Sequence, residues 1–74
     1  MTLTEALKLL AVSEFRPFNK NDWYGYSGCK SNNPLICENE NLTIIIDDME
    51  VSFHDLNEGF ETVLDLSRAK FMRL

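Results

Sequence analysis

The segment of residues 42–66 constrains the fold more than any other part of the sequence, because two turn signals divide it into three pieces that each carry apolar residues at alternate positions. Side chains of a β-strand point alternately to opposite faces, so a strand with one buried face shows this spacing. A two-residue turn at Asp48 and Met49 and a second one at Glu58 and Gly59 divide the segment into three strands. We therefore predict an antiparallel β-meander.

The two turns also predict which residues lie opposite each other. On one face the predicted pairs are Ile44 with Phe53, Ile46 with Val51, Phe53 with Leu64 and Val51 with Leu66. Two independent turns thus give one continuous apolar face, which we interpret as the core side of the sheet. On the other face the first turn pairs Thr43 with His54 and Ile45 with Ser52.

A further strand is expected on each side of the meander. Residues 34–37 are apolar and precede a turn signal at Asn39 and Glu40. The pairs that this turn predicts are Cys37 with Leu42 and Leu35 with Ile44. Residues 69–74 favour a last short strand, which brings the predicted sheet to four or five strands.

The N-terminal segment predicts a helix. Thr2 and Glu5 have the spacing of a capping box, in which the side chain of each residue bonds the backbone amide of the other. Apolar residues follow at helical spacing, namely Leu3, Ala6, Leu7 and Leu10. Pro17 ends the pattern, because the residue before a proline avoids helical geometry. A helix packed on one face of an antiparallel sheet is an α+β fold, and residues 1–74 leave room for a single domain.

Acidic residues are concentrated in the predicted sheet. The chain has a net charge of −5, and between Glu38 and Asp65 it holds acids but no lysine or arginine. A chain of this charge is a poor candidate for direct binding to nucleic acid or to anionic membranes. The predicted register places most of these acids on the outer face, with an apolar seam of Ile36, Ile45 and Val63 running through it.

Two interpretations of the acidic face remain open. It is either a solvated surface that keeps the sheet from pairing with other chains, or a docking surface for a larger protein with a basic, nucleic-acid-binding surface. The second hypothesis makes the following residues partner-binding: Asp47, Asp48, Glu50, Glu58, Glu61, Asp65 and Ile45. In brevity, acidity and lack of a catalytic motif the chain resembles small phage-encoded proteins that inhibit host proteins.

Residues 18–28 form a long predicted loop with a dense aromatic cluster. One interpretation is that Phe18 and Trp23 close the open end of the core. The other is an exposed recognition surface of Trp23, Tyr24 and Tyr26, since tryptophan and tyrosine are frequent in interface hot spots. This loop carries the alternative function, a structural or regulatory module that recognises a peptide or partner.

Catalysis and metal binding have weaker support in the sequence. His54 and Asp55 are neighbours on a predicted strand and point to opposite faces, so they do not form a catalytic dyad. Cys29 and Cys37 lack the paired spacing of a zinc site, and we expect both to be reduced and structural. We predict no enzyme activity, cofactor or metal, with a minor site around His54 as the remaining alternative. The chain has no apolar run that would span a membrane and is expected to be cytoplasmic.

Overall fold

The computed structural model describes residues 2–17, 31, 33–57, 60–68 and 70–73, with residues 60, 61 and 70–73 described through their backbone. These residues form one helix, α1 (Leu3–Val12), and six strands. The strands are β1 (Arg16–Pro17), β2 (Leu35–Glu38), β3 (Leu42–Asp47), β4 (Glu50–Asp55), β5 (Phe60–Asp65) and β6 (Lys70–Arg73). They make a single antiparallel sheet in the order β1-β2-β3-β4-β5-β6. The predicted α+β fold with an N-terminal helix on a β-meander is confirmed.

Thr2 caps helix α1, as the sequence predicts. The side chain of Thr2 accepts a hydrogen bond from the backbone N–H of Glu5 (3.2 Å). At the other end, the hydroxyl of Ser13 donates to the carbonyl of Leu9 (2.6 Å). One unpaired amide and one unpaired carbonyl of the helix ends are thus satisfied locally.

The buried stripe of α1 is rotated from the predicted one. Ala6 is fully buried and packs with Leu3, Leu9 and Leu10 against the sheet, whereas Leu7 is 48% exposed. Successive residues lie about 100° apart around a helix, so Leu7 is about 100° from Ala6 but Leu9 only about 60°. The prediction that Leu7 faces the core is therefore wrong, because the helix presents its small residue, Ala6, to the sheet.

The β3–β4 hairpin has the predicted register. Ile44 lies opposite Phe53 and Ile46 lies opposite Val51, with Asp48 and Met49 in the turn. Asp48 has a φ of 58°, the left-handed conformation that tight hairpin turns need. Aspartate tolerates this conformation better than most residues, which explains how the turn forms without glycine.

The β4–β5 hairpin differs from the predicted register by two residues. Val51 lies opposite Leu64 and Phe53 opposite Thr62, because β4 ends at Asp55 and β5 begins at Phe60. The carboxylate of Asp55 starts the connection between the two strands by accepting the N–H of Asn57 (2.8 Å). A shift of two residues keeps every side chain on its predicted face.

The β2–β3 hairpin shows the same kind of difference. Cys37 lies opposite Ile44, not Leu42. The N–H of Asn39 donates to the carbonyl of Leu42 (2.8 Å), so Glu40 and Asn41 form the turn. The predicted turn was one residue too early, and again the faces are unchanged.

Two features at the ends of the predicted elements differ from expectation. Leu66 was predicted to face Val51 in the core, but it follows the end of β5 and is 39% exposed. Arg16 and Pro17, expected only to end the helix, form β1 and pair with Ile36 and Leu35. The residue before a proline favours the extended backbone, and proline, which lacks an N–H, suits an edge strand.

Both faces of the sheet are buried. The inner face, covered by α1, contributes Cys37, Ile44, Val51, Phe53 and Leu64 to the core. On the outer face the predicted apolar seam is also inaccessible, since Ile36, Ile45 and Val63 are 1%, 0% and 6% exposed. The prediction of an exposed seam is therefore wrong.

Candidate protein-binding surface

The turns β3–β4 and β5–β6 lie side by side at one end of the sheet. The N–H of Leu66 donates to the carbonyl of Met49 (2.8 Å) and joins the two turns. We call this region the acidic end and define it by six residues: Asp47, Asp48, Met49, Glu50, Asp65 and Leu66.

Three carboxylates of the acidic end form a row across the sheet. Glu50 lies opposite Asp47 on one side and opposite Asp65 on the other. Like charges directly opposite each other in an antiparallel sheet are destabilising. The backbone register continues the row with Lys70 opposite Asp65.

Asp47 has a structural role within this row. Its side chain is buried, and its Oδ1 accepts the backbone N–H of Ser31 (2.7 Å). A hydrogen bond to a charged acceptor is among the stronger ones in proteins. Asp47 therefore fixes the chain at Ser31 to the end of β3 and is not a surface group.

Asp65 is also engaged in its own turn. Its Oδ1 accepts hydrogen bonds from the hydroxyl (2.6 Å) and the backbone N–H (3.0 Å) of Ser67, and Arg68 lies 3.8 Å from its other oxygen. The Ser67 hydroxyl is the largest of the influences that hold the pKa of Asp65 below its ordinary value, with the Ser67 amide and Arg68 adding to it. Asp65 thus stays ionised to lower pH than an ordinary aspartate.

The accessible part of the acidic end combines charge with apolar area. Asp48 is exposed and Glu50 is half-buried. Between them Met49 is 47% exposed, and its neighbour across the turns, Leu66, is 39% exposed. Sequence reasoning missed these two apolar residues as a surface. The available signal was a methionine at a turn position, where a polar residue or glycine is usual.

Of the remaining predicted partner-binding residues, the structure describes the side chain of Ile45. Ile45 is fully buried in the sheet, so we remove it from the proposed contact area. The side chains of Glu58 and Glu61 lie outside the described residues, as do Trp23, Tyr24 and Tyr26. The aromatic interface predicted for residues 18–28 therefore stays a prediction.

His54 lies on the outer face with Ser52, as the register predicted. Ser52 is 5% exposed, so an incoming substrate has little access to its hydroxyl. Within the described residues, no three His, Cys, Asp or Glu side chains are grouped so that they could hold a metal ion. Cys37 is buried with a free thiol, and Cys29 lies outside the described residues.

In the part of the chain that the structure describes, no helix has the length and apolar character needed to cross a membrane. Comparison of the chain with protein-family models, with curated proteins and with solved structures finds no match.

Proposed function

We propose that this protein is a small acidic binding module that docks its acidic end on a basic surface of a larger protein. The observation that carries the proposal is the pair of exposed apolar residues, Met49 and Leu66, held together by a hydrogen bond between two turns and bordered by Asp48 and Glu50. Exposed apolar residues with a charged border are typical of protein–protein contacts.

The two kinds of residue have separate tasks in this proposal. Met49 and Leu66 supply the contact area that leaves water, and methionine adapts its shape to an irregular partner surface. Asp48 and Glu50 attract a basic surface from a distance and orient it during the encounter. Asp47 fixes the chain at Ser31 to the end of β3, and Asp65 holds its own turn through the hydrogen bonds of Ser67.

A basic surface that recognises nucleic acid is the partner class that suits these features best. Such surfaces present lysine and arginine at spacings that fit phosphates, and carboxylates on a rigid sheet end stand where phosphates would. Occupying that surface would block nucleic-acid binding, so we propose an inhibitory action. The partner would be identified by affinity purification from the native host and mass spectrometry.

The experiment compares charge reversal at the acidic end with the same change elsewhere. The double variant Asp48→Lys/Glu50→Lys should associate with the purified partner at least about tenfold more slowly than the wild type at low salt, and the difference should shrink at high salt. Surface plasmon resonance measures both rates. The matched control is Glu5→Lys/Glu40→Lys, which alters net charge equally at exposed positions outside the acidic end.

Two outcomes would contradict the proposal. One is equal slowing by both double variants, which would indicate a general charge effect. The other is salt-independent binding that survives lysine at positions 48 and 50 but is lost when Tyr24 and Tyr26 are replaced with alanine. That result would establish the alternative function, recognition through residues 18–28.

A further inference from the structure

An open groove lies between the C-terminal end of α1 and β2. Its volume is about 450 Å³, and residues of the helix end line one side while residues from β2 onward line the other. The groove and the acidic end lie toward opposite ends of strand β3. The groove reaches Asn39, next to the start of β3, whereas the acidic end begins at Asp47, the last residue of β3. Cys37, the groove residue nearest to the acidic end, lies opposite Ile44, three residues before Asp47, so at about 3.3 Å per residue the two surfaces are roughly 10 Å apart at their nearest point.

One part of the groove lining is apolar. Val12 is 78% exposed, Leu9 is half-buried, and the buried Cys37 also contributes. These residues form an apolar strip that the chain leaves accessible to a ligand.

The other part of the lining is negative. Glu14 and Glu38 are both exposed there, and the last turn of α1 contains no basic residue. The carbonyl end of a helix carries a partial negative charge, which cations stabilise. None of the described residues that line the groove is a lysine, an arginine or a histidine.

Among the described residues, Arg16 supplies a cation close to this part of the sheet, and it forms an ion pair with Glu38. The two side chains are 63% and 53% exposed. Exposed pairs of this kind contribute little net free energy, so the Glu38 carboxylate can be shared with a second cation at small cost.

We propose that this groove binds the side chain of a lysine or arginine from a protein partner. The aliphatic stem lies on the strip of Leu9 and Val12, and the cationic head lies between Glu14, Glu38 and the carbonyl end of α1. The length and chemistry of these two side chains match a groove that is apolar along one part and negative along another. This site is independent of the proposed function, because it uses no residue of the acidic end.

The test uses two small probes, n-butylguanidinium and its neutral counterpart n-butanol, with the full chain labelled with ¹⁵N. Titration with n-butylguanidinium should saturate with a dissociation constant on the order of 10 mM, as expected for a ligand of this size. Amide shifts should concentrate at Val12, Ser13, Glu14, Glu38 and Asn39. The neutral probe should bind at least about threefold more weakly, since it lacks the charge.

Variants assign the binding to the groove. Glu14→Gln/Glu38→Gln should weaken n-butylguanidinium binding about three- to tenfold, and Val12→Ser should weaken both probes. The control is Glu5→Gln, an exposed glutamate in the first turn of the same helix, which should leave binding unchanged. All these positions are exposed, and the amide spectrum reports whether each variant is folded.

Shifts concentrated at Asp48 and Glu50, equal weakening by Glu5→Gln, or equal binding of both probes would each overturn the proposal. None of these results bears on docking through the acidic end, which is tested by association rates with the partner.

Discussion

The inner and outer faces of the sheet are buried to a similar degree, although helix α1 packs on the inner face. Val51, Phe53 and Leu64 on the inner face meet helix α1, while Ile36, Ile45 and Val63 on the outer face are just as inaccessible. Alternation in a sequence separates the two faces of a strand, but it does not tell whether the second face is covered.

The sequence predicts an acidic outer face because the charge, taken over whole strands, is negative. The acids on β2 to β5 whose side chains are described stand at strand ends, namely Glu38, Asp47, Glu50, Asp55 and Asp65. The middle of the outer face holds Ile36, Ile45, Ser52 and Val63, which are buried. Charge in this sheet therefore changes along the strands, from acidic at the ends to apolar in the centre.

The largest effect is expected for the centre of the inner face. Phe53→Ala should destabilise the domain by about 3–5 kcal/mol, because it removes a buried ring and leaves a cavity. Chemical denaturation measures this loss. An unchanged midpoint would show that the contact between the helix and the sheet is not the main source of stability.

Ile45→Ala tests whether the outer face is a true second core. We expect a loss of about 2–4 kcal/mol, close to that of Ile44→Ala, since both isoleucines are fully buried. The control is Met49→Ala at an exposed position, which should change the free energy of unfolding by less than about 0.5 kcal/mol. If Ile45→Ala behaves like Met49→Ala, the two faces are not equivalent.

Asp47→Ala tests how the end of the outer face is held. The substitution leaves the half-buried N–H of Ser31 without its acceptor, which should cost about 1–3 kcal/mol. Asp48→Asn is the matched control, because asparagine also tolerates the left-handed backbone of this position and the change removes only an exposed charge. Equal stabilities of the two variants would argue against a structural role for Asp47.

The smallest effect concerns Asp65. Ser67→Ala removes the hydroxyl that most lowers the pKa of this carboxyl group, so the pKa should rise toward its ordinary value. A lowered pKa stabilises the fold above the unfolded-state pKa, and this contribution disappears as the pH falls through the folded-state pKa. The variant should therefore be less stable than the wild type at neutral pH, with the difference vanishing in strong acid.

NMR titration of the Asp65 carboxyl carbon and denaturation at several pH values measure the two quantities. The control is Ser13→Ala, because Ser13 bonds a backbone carbonyl and no carboxylate. An unchanged pKa of Asp65 in Ser67→Ala would assign the shift to Arg68 and the backbone instead.

The parts of the fold that depend on local chemistry were predictable. The Thr2 cap, the turn at Asp48 and Met49, and the assignment of residues to faces all follow from short-range rules. The register of two hairpins was not predictable. When a turn moves or lengthens so that the register changes by two residues, every side chain stays on its face. The apolar pattern on which the prediction relied is then the same for both registers.

The candidate site was predictable only in part. Its charge is visible in the sequence, and Asp48 and Glu50 lie where the first hairpin places them. Its apolar component was not predictable. Leu66 lies beside Met49 because it belongs to the turn after β5, whereas the predicted register places Leu66 within the strand. The groove beside α1 depends on how a helix sits on a sheet, which no local pattern specifies.

Strand β1 also bears on how the protein behaves at high concentration. An open sheet can grow by adding a strand from another molecule at either edge, and such growth leads to aggregation. Within the described residues β1 is two residues long, and Pro17 has no amide hydrogen to offer an incoming chain. Where β1 pairs with Leu35 and Ile36, the proline thus makes this edge a poor template for a further strand.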